Sequence, residues 1–262
     1  IVWSGYAVGA ILLLYIMAVL PLWFRRPNPV IFVPIDFAAI LVYLLYIDMA
    51  TGGHWFLSFA FPAVGAIGVL ISSMVALLRY VRGEDDGREL GERVMTLAEN
   101  YPADVLSGCM GILTTHDTPR ANTELVDPTD ADRAELAKRH MDADTYRRAK
   151  ELLRMAAFLQ FTLPGAPCIY YGDEAGMTGY RDPFNRMYYP WGAEDEGLQT
   201  FYRQLAALHK KPVLRTGNVT VLEAGNGHIL FRRALAGEKT LTVCCNRAGD
   251  WTLTSAQGQL LL

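Results

Sequence analysis

A short apolar run, residues 107–113, ends in the polar cluster Thr114-Thr115-His116-Asp117, and a second run, residues 166–171, ends in Asp173-Glu174. A carboxylate fixed at a strand end can grip hydroxyl groups or face a developing positive charge. An imidazole beside it adds a donor or an acceptor. Taken alone, such a cluster serves equally to cap a strand end. Asp173 and Glu174 are adjacent acids, but neighbours on a strand point to opposite faces. They do not readily flank one bond, and they read as structural. A third polar stretch, residues 180–191, holds Asp182 and Arg186 among Tyr180, Phe184, Tyr188, Tyr189 and Trp191. That pair reads either as a ligand contact or as a salt bridge holding its own loop.

The cysteines Cys109, Cys168, Cys244 and Cys245 include no CxxC pair and no zinc-ligand spacing. They read as free, structural thiols in a reducing compartment, and no metal site is expected. A net charge of -3 gives no basic footprint for nucleic acid.

The elements that must position these residues follow from periodicity. Residues 85–99 form an amphipathic helix with Leu90, Val94, Leu97 and Ala98 on one face. Residues 107–113 form a buried strand. Residues 121–141 alternate in charge, as a solvated surface does. Asp142 or Asp144 caps a helix over 145–162, which Pro164-Gly165 ends. A second strand follows at 166–171 and a third helix at 198–209. After Pro212, alternating strands are separated by Gly-Asn-Gly, Gly-Glu and Ala-Gly turns. Alternating helices and strands describe a parallel α/β fold, and the polar clusters fall at the strand ends from which (β/α)8 barrels build their sites.

Five blocks in order then carry a resemblance: Glu99-Asn-Tyr-Pro102, Thr115-His-Asp-Thr-Pro-Arg120, Phe161-Thr-Leu-Pro-Gly-Ala-Pro-Cys-Ile-Tyr-Tyr-Gly-Asp-Glu-Ala-Gly176, Tyr180-Arg-Asp-Pro-Phe-Asn-Arg186 and Tyr189-Pro-Trp191. From about residue 81 to 246 the chain resembles glycoside hydrolase family 13, the α-amylase family, in its neopullulanase and cyclomaltodextrinase branch. Thr114 and Gly111 depart from the residues common in that family. The resemblance implies a C-terminal portion of a (β/α)8 TIM barrel, about strands 7 and 8 with helices 6 to 8, over residues 81–211. The start of a β-sandwich follows over 212–262. It implies that Asp117 is the catalytic transition-state stabiliser, and that His116, Arg120, Asp182 and Arg186 bind substrate, an α-glucan oligosaccharide or polysaccharide. No cofactor is implied; calcium, known in the family, is not legible here.

The first eighty residues read differently. Residues 1–78 carry only Arg25, Arg26, Asp36 and Asp48 as charged groups. Apolar stretches at 2–24, 30–47 and 55–78 are each about long enough to span a bilayer, and Trp3, Trp23 and Trp55 lie at their ends. The sequence therefore predicts an α-helical membrane segment of three spans over 1–80, ahead of the α/β part. This part resembles small multi-span bacterial membrane proteins. Basic residues at 25, 26, 79 and 82 place the C-terminal part in the cytoplasm, with a lipid bilayer, as in a bacterial inner membrane, as a second partner. Asp36, inside the second span, is either a functional group or an interfacial one.

Retaining glycosidases need two carboxyl groups about 5 to 5.5 Å apart. In the family these come from barrel strands 4 and 5, for which this sequence shows no counterpart. Two barrel strands alone leave faces and edges uncovered. The sequence thus reads as a joined or incomplete α-glucan-acting hydrolase, inactive alone. The alternatives are a non-enzymatic integral membrane protein with a degenerate sugar-binding module, and a membrane protein whose function lies in the spans.

Overall fold

The computed structural model describes residues 74–249 and 251–255. Contacts divide the chain into Ile1–Gly65 and Ala66–Leu262, and every described residue lies in the second unit.

The chain is already helical at residue 74, and this helix, α1 (74–82), meets its surroundings unlike a membrane span. Val75 and Arg79, four residues apart, face outward, while Met74, Ala76, Leu77, Leu78, Tyr80 and Val81 are buried in the core of the α/β unit. The Tyr80 hydroxyl lies 2.8 Å from the Gly227 carbonyl oxygen and 2.9 Å from that of Cys245. Arg247 closes the other side, donating to the carbonyls of Tyr80 at 3.2 Å and Asp85 at 2.6 Å. The end of the expected third span is thus a core helix of the folded unit. Among the described residues, no helix is long and apolar enough to cross a membrane. The fold class of membrane segment plus α/β is corrected to an α/β unit. The multi-pass location with a cytoplasmic C-terminal part, and the lipid bilayer as partner, fall with it. The sequence misled because a helix buried on most of its sides carries almost no polar stripe. The stretches 2–24, 30–47 and 55–73, with Asp36, lie outside the described residues.

Helix α2 (Gly87–Asn100) starts at a capping box: Asp86 accepts from Gly87 N and Glu89 reaches back to the Asp86 N–H. The same Asp86 carboxylate accepts from Asn226 N at 3.0 Å and Gly227 N at 2.7 Å, tying the helix to a hairpin far along the chain. A Cβ on Gly87 would sit 1.9 Å from the His228 carbonyl oxygen. Glycine at this position lets helix and hairpin touch.

Helix α3 (Ala103–Gly108) takes residues that the sequence assigned to the start of a strand. Strand β1 (Met110–Ile112) follows, then the short helices α4 (Ala121–Glu124) and α5 (Arg133–Leu136). Helix α6 (Ala143–Thr162) is capped by Asp142, which accepts from Asp144 N and Thr145 N. Strand β2 (Ala166–Cys168) pairs parallel with β1, Met110 opposite Ala166 and Ile112 opposite Cys168. Gln160 of α6 is buried and its amide donates to the carbonyls of Gly111 (2.8 Å) and Cys168 (2.9 Å). One side chain therefore fastens the crossover helix to both strands.

Helix α7 (Glu196–His209), capped by Asp195, and the short α8 (Pro212–Thr216) lead to an antiparallel sheet. Its strands run in order β3 (Asn218–Gly225), β4 (His228–Ala234), β5 (Leu241–Asn246) and β6 (Trp251–Ser255). Its inner face covers the helices. Phe158 of α6 and Phe201 of α7 lie 4.9 and 5.4 Å, ring to ring, from Trp251. Ile229, Phe231, Val243, Cys245 and Leu253 join the same core as Leu90, Leu153 and Leu205. The apolar faces of the helices are covered, in part, by this sheet.

Arg233 of β4 is 1% exposed, and its guanidinium donates to the carbonyls of Thr162 (2.6 Å), Leu214 (2.9 Å) and Gly217 (2.8 Å). Burial lowers its pKa to about 10. It satisfies the C-terminal end of α6 and the C-terminal half of α8 with its cap at once. Replacing Arg233 by Met leaves three carbonyls without this donor, at about 1 kcal/mol or more each. Urea unfolding of the full chain should show a loss of about 3 kcal/mol. An unchanged midpoint would mean that water satisfies them.

Candidate functional site

The segment 114–120 leaves β1 and rises to the surface and back. Thr114 is buried, His116, Asp117 and Thr118 are exposed, and Arg120 is buried again. A local turn shapes the crest: Thr115 N donates to the Thr118 hydroxyl at 2.8 Å and Asp117 N to the Thr115 hydroxyl at 3.2 Å. This is the turn chemistry of a short hydroxyl side chain placed beside free backbone donors.

At the crest, His116 Nε2 lies 3.1 Å from Asp117 Oδ2. Arg186 reaches Asp117 Oδ1 with Nη2 at 3.5 Å and Asp182 Oδ1 with Nε at 3.0 Å. The same Nε donates to the His116 carbonyl at 3.2 Å. Arg133 of α5 approaches Asp182 at 3.7 Å. His116, Asp117, Asp182 and Arg186 thus form one continuous, solvent-facing polar rim.

Arg120 is not part of that rim. Its guanidinium has no exposed surface. It lies with Cζ 4.6 Å from the Tyr170 ring centroid and 4.5 Å from that of Tyr171. Nη1 donates to the Tyr171 carbonyl and stands 3.5 Å from Asp173 Oδ1. Among the described residues Nε and Nη2 have no hydrogen-bond partner; the two aromatic faces supply the compensating negative potential. Its backbone N–H donates to Gly179 O at 2.8 Å.

Asn185 was not singled out by sequence, yet it supports the rim from below. It is fully buried, and its Nδ2 lies 2.7 Å from both the His116 and the Thr118 carbonyl oxygens. The only sequence signal was its place in the loop block Tyr180–Arg186, beside Pro183. Asp182–Pro183 is a cis peptide bond. Gly179 sits where a Cβ would meet Phe184 O at 2.3 Å, so the 3-10 turn Phe184–Arg186 passes directly over it.

Asp173 and Glu174 turn to different partners. Glu174 accepts from Gly172 N at 2.8 Å. Asp173 is buried and accepts from the Thr114 hydroxyl at 3.0 Å. Burial pushes the Asp173 carboxyl up to about 7, against the opposing pull of the Thr114 hydroxyl and the Arg120 guanidinium. Beyond the rim, Tyr188 and Trp191 are among the most exposed apolar side chains described, and Trp191 packs against Tyr189 with ring centroids 4.6 Å apart. Among the described residues, no group of three or more His, Cys, Asp or Glu is placed to hold a metal ion.

A parallel βαβ unit raises a His–Asp pair beyond a strand end, ringed by an ion-paired loop and exposed aromatics, and this defines an α/β unit whose polar groups gather at one strand end. The comparison is more definite: residues 89–216 match the family model described as alpha amylase, catalytic domain. An amylopullulanase from Thermoanaerobacter thermohydrosulfuricus is 38% identical over 157 residues, 59% of this chain and 10% of that protein. A cyclomaltodextrinase from Geobacillus thermopakistaniensis is 32% identical over 181 residues, 67% of this chain and 27% of that protein. Among solved structures, a cyclic α-maltosyl-(1→6)-maltose hydrolase from Arthrobacter globiformis superposes with a TM-score of 0.54 at 26% identity. It covers 66% of this chain and 36% of that one. The chain therefore spans about a tenth to a quarter of the length of the curated relatives it matches.

The raised Asp173 carboxyl has a consequence for stability. Its folded pKa exceeds the unfolded value, so its contribution is fully present below about pH 4 and is lost as pH rises through about 7. Asp173→Asn removes this titration. The stability of Asp173→Asn relative to wild type should shift in the variant's favour between pH 5 and pH 8, measured as paired urea midpoints. A shift in the opposite direction would show that Arg120 outweighs burial and holds the carboxyl ionised.

Proposed function

We propose that this chain binds α-glucans and that its polar rim is the sugar-gripping part of a retaining glycoside hydrolase site. Asp117 and His116 contact sugar hydroxyls, and Asp117 faces the positive charge that develops at the glycosidic carbon. Hydroxyl contacts of this kind tighten as the ring distorts toward the oxocarbenium-like transition state. Asp182 and Arg186 complete the grip, and Tyr188 and Trp191 offer faces on which sugar rings stack. Arg120 acts from beneath, by holding the loop. The observation that carries this reading is the exposed His116–Asp117 pair at 3.1 Å, joined through Arg186 to Asp182 in one rim. The amylopullulanase and cyclomaltodextrinase relatives lend it their substrate class.

The same geometry argues that the rim binds and stabilises without attacking. Asp117 and Asp182 both engage Arg186, whereas a retaining pair needs one free nucleophilic carboxylate and one protonated acid. Hydrolysis of pullulan, cyclodextrins or p-nitrophenyl α-glucoside by this chain alone should stay at background. Calorimetric titration of the full chain with maltoheptaose should show binding that Asp117→Asn weakens about tenfold, the loss of one charge-assisted hydrogen bond. Absence of binding by the wild-type chain, or equal binding by the variant, would sink the reading. Turnover that vanishes in Asp117→Asn would place an active nucleophile and acid in this chain.

A further inference from the structure

The loop that presents His116 and Asp117 is held at both ends by one buried carboxylate. At its start, the Thr114 hydroxyl donates to Asp173 Oδ2 at 3.0 Å. At its finish, Arg120 Nη1 stands 3.5 Å from Asp173 Oδ1 and also donates to the carbonyl of Tyr171, two residues before Asp173. All three side chains are buried, while the five residues between Thr114 and Arg120 rise to the surface. Asn185 supports the middle of the loop through the His116 and Thr118 carbonyls. The ends of the loop are the natural control points of its height, because a short chain clamped at two points has little freedom between them.

We infer that Asp173 is a positioning residue for the His116–Asp117 pair: by clamping Thr114 and Arg120 together it fixes the loop that carries the pair. Asp173 itself is buried. The groups around it are Thr114 and Arg120 from the clamped loop, Glu174 beside it and the Tyr202 ring from α7. None of these lies on the rim. Supporting side chains of this kind decide whether a site holds its geometry to a fraction of an ångström. The effect on sugar affinity rests on the α-glucan reading above, whereas the effect on the loop does not.

The test separates the two. Histidine-selective 15N NMR of the ligand-free full chain reports the His116 imidazole. His209, which lies 2.9 Å from the Phe161 carbonyl, and His228, which lies 3.1 Å from Glu223, serve as remote references. Asp173→Ala should move the His116 signals toward those seen in Asp117→Asn while leaving His209 and His228 in place. Asp173→Asn, which keeps an oxygen for Arg120 and an amide for the Thr114 hydroxyl, should restore most of the wild-type position. Maltoheptaose affinity should fall at least tenfold in Asp173→Ala and recover in Asp173→Asn. If Asp173→Ala fails to fold, Thr114→Val removes only the 3.0 Å hydrogen bond and should move His116 in the same direction. His116 signals unmoved in a folded Asp173→Ala or Thr114→Val chain would overturn the inference. Moved His116 signals in a chain that never binds maltoheptaose would support the clamp and overturn the α-glucan reading.

Discussion

Two parallel strands of three residues cannot hold themselves together; isolated two-stranded sheets are marginal in water. What holds β1 and β2 is the amide of Gln160, which donates to one carbonyl on each strand from the crossover helix. The strands' exits are set by that contact. One exit leads into the loop bearing His116 and Asp117, and the other leads to Asp173. If the helix shifted, both exits would shift together, so the register of the polar clusters is inherited from α6. The helix in turn is fixed by Phe158 against Trp251 and by the Arg233 bonds at its C-terminal end. The chemistry of the rim is therefore anchored in a sheet more than fifty residues downstream.

The rim and its support divide by solvent access. His116, Asp117, Asp182 and Arg186 meet water and exchange contacts mainly with one another. Beneath them Thr114, Arg120, Asn185 and Asp173 are buried and bond chiefly to backbone or to each other. Charge on the rim is cheap because water screens it. Charge in the lower layer persists because the Tyr170 and Tyr171 rings and fixed carbonyls stand in for that water.

Much of this was legible in the sequence, for identifiable reasons. Helices α2, α6 and α7 each announce themselves by an Asp cap and an apolar stripe. The two strands fall inside the expected apolar runs but are shorter, Met110–Ile112 within 107–113 and Ala166–Cys168 within 166–171. Helix α3 was hidden because six residues hold too few turns to show a period. Helix α1 was misread because burial on most faces erases the polar stripe that distinguishes a core helix from a lipid-facing one. Arg120 sat in a motif whose resemblance implied substrate binding, and the structure buries it. Its burial depends on Tyr170, Tyr171 and Asp173, about fifty residues away, and no local pattern encodes that. Asn185 was invisible for the same reason, since what an amide supports depends on which loop crosses it.

Tyr80 closes its contact with Cys245 across 165 residues of chain. During synthesis on a ribosome, which adds about 5–20 residues per second, α1 emerges long before the strands that cover it exist. For roughly ten seconds the Tyr80 hydroxyl has no native partner, and contacts of such high sequence separation form late in folding. A nascent chain in that interval exposes to chaperones and targeting factors the same apolar surface that made residues 74–78 resemble a membrane span.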